Sequence, residues 1–320
     1  MALDLNGVKL LLWSKNLGAS FERTATLGRQ GFSCSPGELR PALRDFGFEA
    51  GPEQFKRIFK HPPMTSLFAE EFLHFLGAKE LQSVDISDFE GATLLHDLNQ
   101  PFEARHQAAF SFVLDAGTLE HIFHYPQALR HCLELVEVGG HFLTITPTNN
   151  QMGHGFYQFS PELFFRVFNA ENGFTLRKIV LYDYLKTDAP FYEVLDPSKT
   201  GGRTHVFSPR PLYLAVLAER VALKPILNRP PLQSDYVQLW EQSKRQTPEA
   251  NTGATSRLFR LRRALNPYWP YWLRRWKKAL YYARVYGKPN LRNRRHFRRL
   301  SRKEVCGERA AALPVEQKLR

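Results

Sequence analysis

Cysteine is scarce in this chain of 320 residues, and long apolar runs are missing from it. The three cysteines, Cys34, Cys132 and Cys306, are odd in number and widely scattered. That pattern argues against a disulfide framework and against a cysteine-based zinc site, and it fits a reducing compartment. No apolar run approaches the ~20 residues that a membrane-spanning helix needs. The N-terminal VKLLLW is too short to be the apolar core of a signal peptide. The chain is therefore expected in the cytoplasm. No internal repeat is present, which argues against a solenoid.

Acid is scarce in one region only. Residues 257–320 hold 20 of the 44 Lys/Arg but 3 of the 31 Asp/Glu, so residues 1–256 carry 24 basic and 28 acidic groups. A mildly acidic body is thus joined to a strongly basic tail, and the overall +13 conceals the split. Such asymmetry suggests a catalytic or binding body with a tail that seeks anionic surfaces.

What is present is an alternation of strands and helices. Phe21–Leu27 alternates like a strand and runs into Leu27-Gly28-Arg29-Gln30-Gly31. Leu67–Gly77 has helical spacing. Short strands follow at Leu81–Ile86 and Ala92–Leu95, then a buried strand at Phe110–Leu114. An amphipathic helix at Pro126–Val136 leads through Gly139-Gly140 into the strand His141–Ile145. Ser160 and Pro161 open another helix, and Phe174–Tyr182 and Leu212–Ala218 read as the last strands. The alternation predicts a doubly wound α/β fold with a mostly parallel sheet. The segmentation expected is a body over 1–222, a Pro-, Gln- and Ser-rich linker over 223–256, and a basic, aromatic helical extension over 257–320.

Ligands of such sheets bind beyond the carboxyl ends of the strands, and several polar residues fall there. Asp85 ends one strand and can accept hydrogen bonds from both hydroxyls of a ribose. Asp97 follows the next strand and can accept from an adenine amino group. Asp115 ends a third. Taken singly, each is equally a turn residue or a helix cap. Glu120, His121, His154, Tyr157 and Gln158 crowd the loops after Phe110–Leu114 and His141–Ile145.

The order VDIS, HDLNQP, VLDAGTLEHI and VEVGGHFLTITP resembles the class I S-adenosylmethionine-dependent methyltransferase family over roughly residues 20–220. The resemblance implies a Rossmann-like, seven-stranded sheet with a reversed final hairpin, here Phe174–Tyr182 and Leu212–Ala218. It implies S-adenosylmethionine as cofactor, with Asp85 on the ribose, Asp97-Leu98 at the adenine, and Asp115 to His121 lining the methionine and acceptor side. One element departs from the family. The acid and G-x-G-x-G loop after the first strand is reduced to LGRQG, and Asp85 lies 57 positions after Gly28. On this reading residues 33–63 are an insertion, Gly28 and Gly31 let the backbone approach the cofactor, and Arg29 meets its carboxylate. The other reading is that Gly28 only begins a surface loop.

Methyl transfer to a neutral oxygen or nitrogen needs a proton removed. His154 and His121 are the candidate bases, Glu120 the group that orients or strengthens one of them. Tyr157 and Gln158 are the candidate substrate-positioning residues, and no metal is expected. The competing reading has Phe156 and Phe159 in the core and His154 capping a turn. The acceptor stays open among glycan, lipid-linked and small-molecule classes. Two alternatives remain: a catalytically degenerate binding protein, and a nucleic-acid modifier steered by the tail.

In the tail, Trp272, Leu273, Trp276, Ala279, Leu280 and Ala283 fall on one helical face, with Arg274, Lys277, Lys278 and Arg284 opposite. Tyr268, Trp269 and Tyr271 precede it. An aromatic face beside a basic one suits an anionic membrane surface reached through residues 257–303, at the inner face of a membrane. Packing on the body, or nucleic-acid phosphates bound by Asn290–Lys303, are the alternatives, nucleic acid being the less favoured partner.

Overall fold

The computed structural model describes residues 2–59, 68–245, 270–286 and 290–309. They form two compact units, one of Met1–Val194, Ser208–Pro231 and Arg298–Arg320, the other of Leu195–Phe207 and Leu232–Phe297.

The first unit begins with a short strand, β1 (Ala2–Leu3), and the helix Leu5–Asn16. Asp4 caps that helix by accepting the Gly7 N–H at 2.9 Å. Val8, Leu11, Leu12 and Trp13 are buried along it. The strand β2 (Arg23–Leu27) follows, then β3 (Gly31–Phe32), which pairs in parallel with β1. Residues 33–59 fold as two helices, Pro36–Phe46 and Pro52–Ile58. The first is fixed by Ser35 and Glu38 bonding reciprocally, and the left-handed Gly47 stops it.

The helix Glu70–Phe75 leads to β4 (Glu80–Asp85) and β5 (Leu94–Leu95). Next come β6 (Phe110–Ala116), the helix Tyr125–Glu134, β7 (Val136–Asn149) and the helix Pro161–Val167. The chain finishes with β8 (Phe174–Asp183), β9 (Tyr192–Val194), β10 (Leu212–Arg220) and β11 (Phe297–Arg299). The main sheet has nine strands in the order β11-β9-β8-β10-β7-β6-β2-β4-β5. The pairs β5–β4, β4–β2, β2–β6 and β6–β7 are parallel, whereas β10 runs antiparallel to both β7 and β8.

From β5 to β8 the sheet has the parallel strands and the reversed hairpin that the resemblance implied, the latter at Phe174–Tyr182 and Leu212–Ala218. The sheet is wider than the expected seven strands because β9 and β11 extend the β8 edge. Every residue of β6 is buried, as a central strand covered on both faces requires. Phe21 stacks on Phe112 with centroids 4.1 Å apart in that core. Each such side chain contributes about 1.5–3 kcal/mol of transfer free energy.

The second unit contains helices Ser234–Arg245 and Tyr271–Tyr286, the former inside the stretch read from sequence as linker. Arg203 pairs with Asp235 at 2.6 Å, and Arg295 donates to the Thr200 carbonyl at 2.9 Å. On the helix Tyr271–Tyr286, the side chains of Tyr271, Trp272, Trp276 and Leu280 are exposed. Tyr268 and Trp269, and the side chains of Arg274, Ala283 and Arg284, lie outside the described residues. The sequence after that helix is not one free tail: Arg302–Gly307 is helical and Leu300 and Val305 join the core of the first unit. No helix among the described residues is long and apolar enough to cross a membrane.

Candidate active site

The parallel register brings the carboxyl ends of β2, β4 and β6 level, with Leu27 beside Val84 on one side and Asp115 on the other. Gly28 then turns with φ +71° and donates its N–H to the Val84 carbonyl at 2.7 Å. A Cβ at this position would lie 2.9 Å from Thr118 Oγ1 and 3.9 Å from Asp85 Oδ2, so the turn needs glycine. Asp85 is half-buried; its Oδ1 accepts the Ser87 N–H at 3.2 Å, and Oδ2 is bonded to no donor among the described residues. Asp97 accepts both the backbone N–H and the side-chain amide of Asn99 through Oδ1, at 2.9 and 2.8 Å. These bonds hold its carboxyl below the ordinary range. Leu98 is buried behind it.

Three expected cofactor residues are placed differently. Arg29 gives its Nε to Glu70 at 2.6 Å and an Nη to the Glu90 carbonyl at 2.7 Å, with its guanidinium 3.8 Å from the centroid of Phe68. Its charge is matched inside the chain, so it does not stand ready for a cofactor carboxylate. Gly31 belongs to β3 and pairs with β1, away from the strand ends. Asp115 is fully buried: its Oδ1 accepts the N–H groups of Thr118 and Leu119 at 3.1 and 3.2 Å, and its Oδ2 the Thr144 hydroxyl at 2.7 Å. It ties the β6 loop to β7 and presents nothing to a ligand. Burial raises its carboxyl pKa despite these bonds.

Gln30 carries no motif in the sequence and yet shapes the loop. It is buried, and its amide nitrogen bonds the Leu27 carbonyl at 2.6 Å and reaches the Gly28 carbonyl at 3.4 Å. Its Oε1 has no partner. The groups fit an adenosine at Asp85 and Asp97, while the loop offers it little beyond the shape of Gly28.

A second cluster of polar groups is built around Glu120. Its side chain is fully buried, with Oε2 3.5 Å from the Thr146 hydroxyl and Oε1 3.3 Å from Nε2 of His154. Neither Oε1 nor His154 Nε2 makes a hydrogen bond among the described residues. Burial, with the carboxylate of Asp115 nearby, pushes the Glu120 carboxyl up to about 8. The His154 ring meets that of His121 edge-on at 5.1 Å. Burial and the neighbouring His154 lower the pKa of His121. The loop is held over this cluster from below: Phe156 and Tyr157 donate their N–H groups to the Glu120 carbonyl at 2.8 and 3.2 Å. Gly155 has φ +69°, and a Cβ there would come within 2.8 Å of that carbonyl oxygen.

Tyr157 and Gln158 hold the loop rather than a substrate. The Tyr157 hydroxyl donates to the Phe123 carbonyl at 2.6 Å, and Gln158 Oε1 accepts the Gln151 N–H at 2.8 Å. Phe159 is core, as one reading of the sequence allowed, but Phe156 is 67% exposed. Phe123, also exposed, meets its ring edge-on with centroids 6.1 Å apart. A cavity of about 550 Å³ lined by Lys9, Asp188, Phe191 and Arg302 lies elsewhere, near the helix Arg302–Gly307, and contains none of these groups.

No protein-family model matches this chain, and no curated protein does. Solved structures do match. A S-adenosylmethionine-dependent methyltransferase from Mesorhizobium loti is 15% identical with a TM-score of 0.37, over 68% of this chain and 100% of that one. The 1,6-didemethyltoxoflavin-N1-methyltransferase of Burkholderia thailandensis, solved with that compound and S-adenosylhomocysteine, is 12% identical with a TM-score of 0.36, over 68% and 78%. The branched-chain polyamine synthase of Thermus thermophilus is 14% identical with a TM-score of 0.34, over 72% and 60%. At such values no residue role passes from them to this chain.

Proposed function

We propose that the protein is a S-adenosylmethionine-dependent methyltransferase acting on an oxygen or nitrogen acceptor. The observation that carries this is the placement of Asp85, beside the left-handed Gly28, and the Glu120–His154 pair after the carboxyl ends of interior strands in a sheet with the reversed hairpin. When bound, the cofactor supplies a methyl group on a sulfonium. Asp85 receives the ribose hydroxyls and Asp97-Leu98 borders the adenine. The acceptor lies where His154 takes its proton and Glu120 orients the ring. Titration calorimetry with S-adenosylhomocysteine tests the reading. Binding is expected, weakened in Asp85→Ala; no heat from the folded protein, or equal heat from the variant, sinks it.

The second reading, a binding protein on a degenerate methyltransferase fold, draws on Arg29 and the amide nitrogen of Gln30 being bonded within the chain. The same titration decides between them.

The tail reading centres on the helix Tyr271–Tyr286, which we propose lies on an anionic membrane surface at the cytoplasmic side. Its exposed aromatic residues and its Arg275, Lys277 and Lys278 support this, each cation near such a surface being worth about 1 kcal/mol. The nucleic-acid alternative is less favoured because Arg298 pairs with Glu193 and Glu304, and Arg302 with Asp45. Pelleting of the full chain with anionic vesicles, lost in Trp272→Ala/Trp276→Ala, is the expected result. Steeply salt-dependent RNA binding with no pelleting reverses the preference.

A further inference from the structure

We infer that Glu120, His121 and His154 form a site for one divalent transition-metal ion. Each offers one ligand atom, and the three atoms lie within 4.8 Å of one another. Glu120 Oε1 and His154 Nε2 are 3.3 Å apart. An ion with bonds of ~2.0–2.2 Å to oxygen and nitrogen has tetrahedral ligand edges of about that length. His121 is exposed, and its ring meets that of His154 edge-on with centroids 5.1 Å apart.

The second observation is the state of the pair itself. A fully buried carboxylate oxygen without a hydrogen-bond donor is costly. Here it faces a ring nitrogen that also lacks a partner, at a distance that allows a hydrogen bond but in a geometry that does not make one. A cation between them satisfies both lone pairs at once. The surroundings hold the pair as outer contacts hold metal ligands. Thr146 approaches the other carboxylate oxygen, and the N–H groups of Phe156 and Tyr157 fix the Glu120 backbone under the His154 loop.

Two imidazoles and one carboxylate favour Zn²⁺, Mn²⁺, Fe²⁺, Co²⁺ or Ni²⁺ over Mg²⁺ and Ca²⁺, which prefer all-oxygen shells. Three protein ligands leave a coordination position open, and the exposed side of the trio is where an acceptor enters. A hydroxyl bound there is more acidic and releases its proton to water more readily, which replaces the base role of His154. That consequence rests on the proposed methyl transfer; the binding of the ion does not.

The test uses the full chain, stripped with a chelator and titrated with Co²⁺ by visible absorption and with Zn²⁺ by calorimetry. One ion per chain is expected, with Co²⁺ d–d bands of a low-coordinate site. His154→Ala, Glu120→Gln and His121→Ala are each expected to weaken binding by at least ~100-fold, beyond the 10–100-fold typical of outer contacts; His74→Ala leaves it unchanged. Circular dichroism checks folding, and His121→Ala, an exposed position, stays informative if the buried Glu120 variant does not fold. No band and no heat from folded protein overturns the site, as does affinity in His121→Ala and His154→Ala equal to that of the unsubstituted chain. S-adenosylhomocysteine titrated in parallel separates the two claims. Its binding without metal binding overturns the metal site alone, and the reverse overturns the methyl-transfer reading alone.

Discussion

At the end of β2 most polar groups have found partners within the chain. Gly28 N–H bonds the neighbouring strand, Arg29 bonds Glu70, and Gln30 bonds the carbonyls of its own loop. At the end of β6 the opposite holds around Glu120, where a buried carboxylate and a histidine face each other unbonded and the rings of Phe123 and Phe156 stand open to solvent. The proposed cofactor side is thus largely self-satisfied, with Asp85 as its main open group, while the proposed acceptor side keeps unsatisfied chemistry. Internal satisfaction stabilises a fold, whereas unsatisfied buried groups destabilise it unless a ligand or proton completes them. That difference separates what holds this protein together from what it is built to do.

The contrast can be broken in order of expected effect. His154→Ala is expected to lower turnover by ~10²–10⁴-fold while leaving S-adenosylhomocysteine affinity unchanged; kinetics and calorimetry on one preparation check both halves. Asp85→Ala should do the reverse, weakening that affinity by ~10–100-fold through loss of charge-assisted hydrogen bonds. If both variants lose cofactor binding equally, the halves are not separate.

The sheet outside the cleft provides a pH control. Burial holds the His141 imidazole down to about 4 from its ordinary 6.5, with Glu219 opposing and Arg177 assisting. The unfolded chain therefore binds a proton that the native chain refuses between pH 6.5 and 4, so stability present above that window is lost as pH falls through it. Unfolding at pH 5 against pH 7 should show a loss of about 2 kcal/mol that His141→Gln removes. Gly28→Ala is expected to cost about 1–2 kcal/mol, from its left-handed backbone and the contact with Thr118. Denaturant melts measure it, and a neutral result would mean that the turn is not fixed.

The mostly parallel sheet was legible from the alternation of strands and helices, whereas the reversed hairpin was legible only through the family resemblance. Asp85 and Asp97 could be named from position because such acids follow short strands directly. Asp115 looks the same in sequence, but its side chain turns inward to Thr144, and nothing local distinguishes an inward acid from an outward one. Arg29 was misplaced because its partner Glu70 comes 41 positions later. Gln30 gave no signal, since a glutamine between loop residues is ordinary until its buried amide is seen. Glu120, His121 and His154 were legible as residue types. Their meeting was not, because 34 positions separate Glu120 from His154.

The bond from Tyr157 to the Phe123 carbonyl, with the paired N–H groups on the Glu120 carbonyl, joins residues 119–124 and 151–159 into one kinetic body. Neither loop opens alone without breaking bonds shared with the other. Amide hydrogens of Phe156 and Tyr157 should then exchange with solvent at a common opening rate, as members of one cooperative unit. Exchange at one common rate would make the two loops a single unit with one opening free energy; separate rates would make them independent.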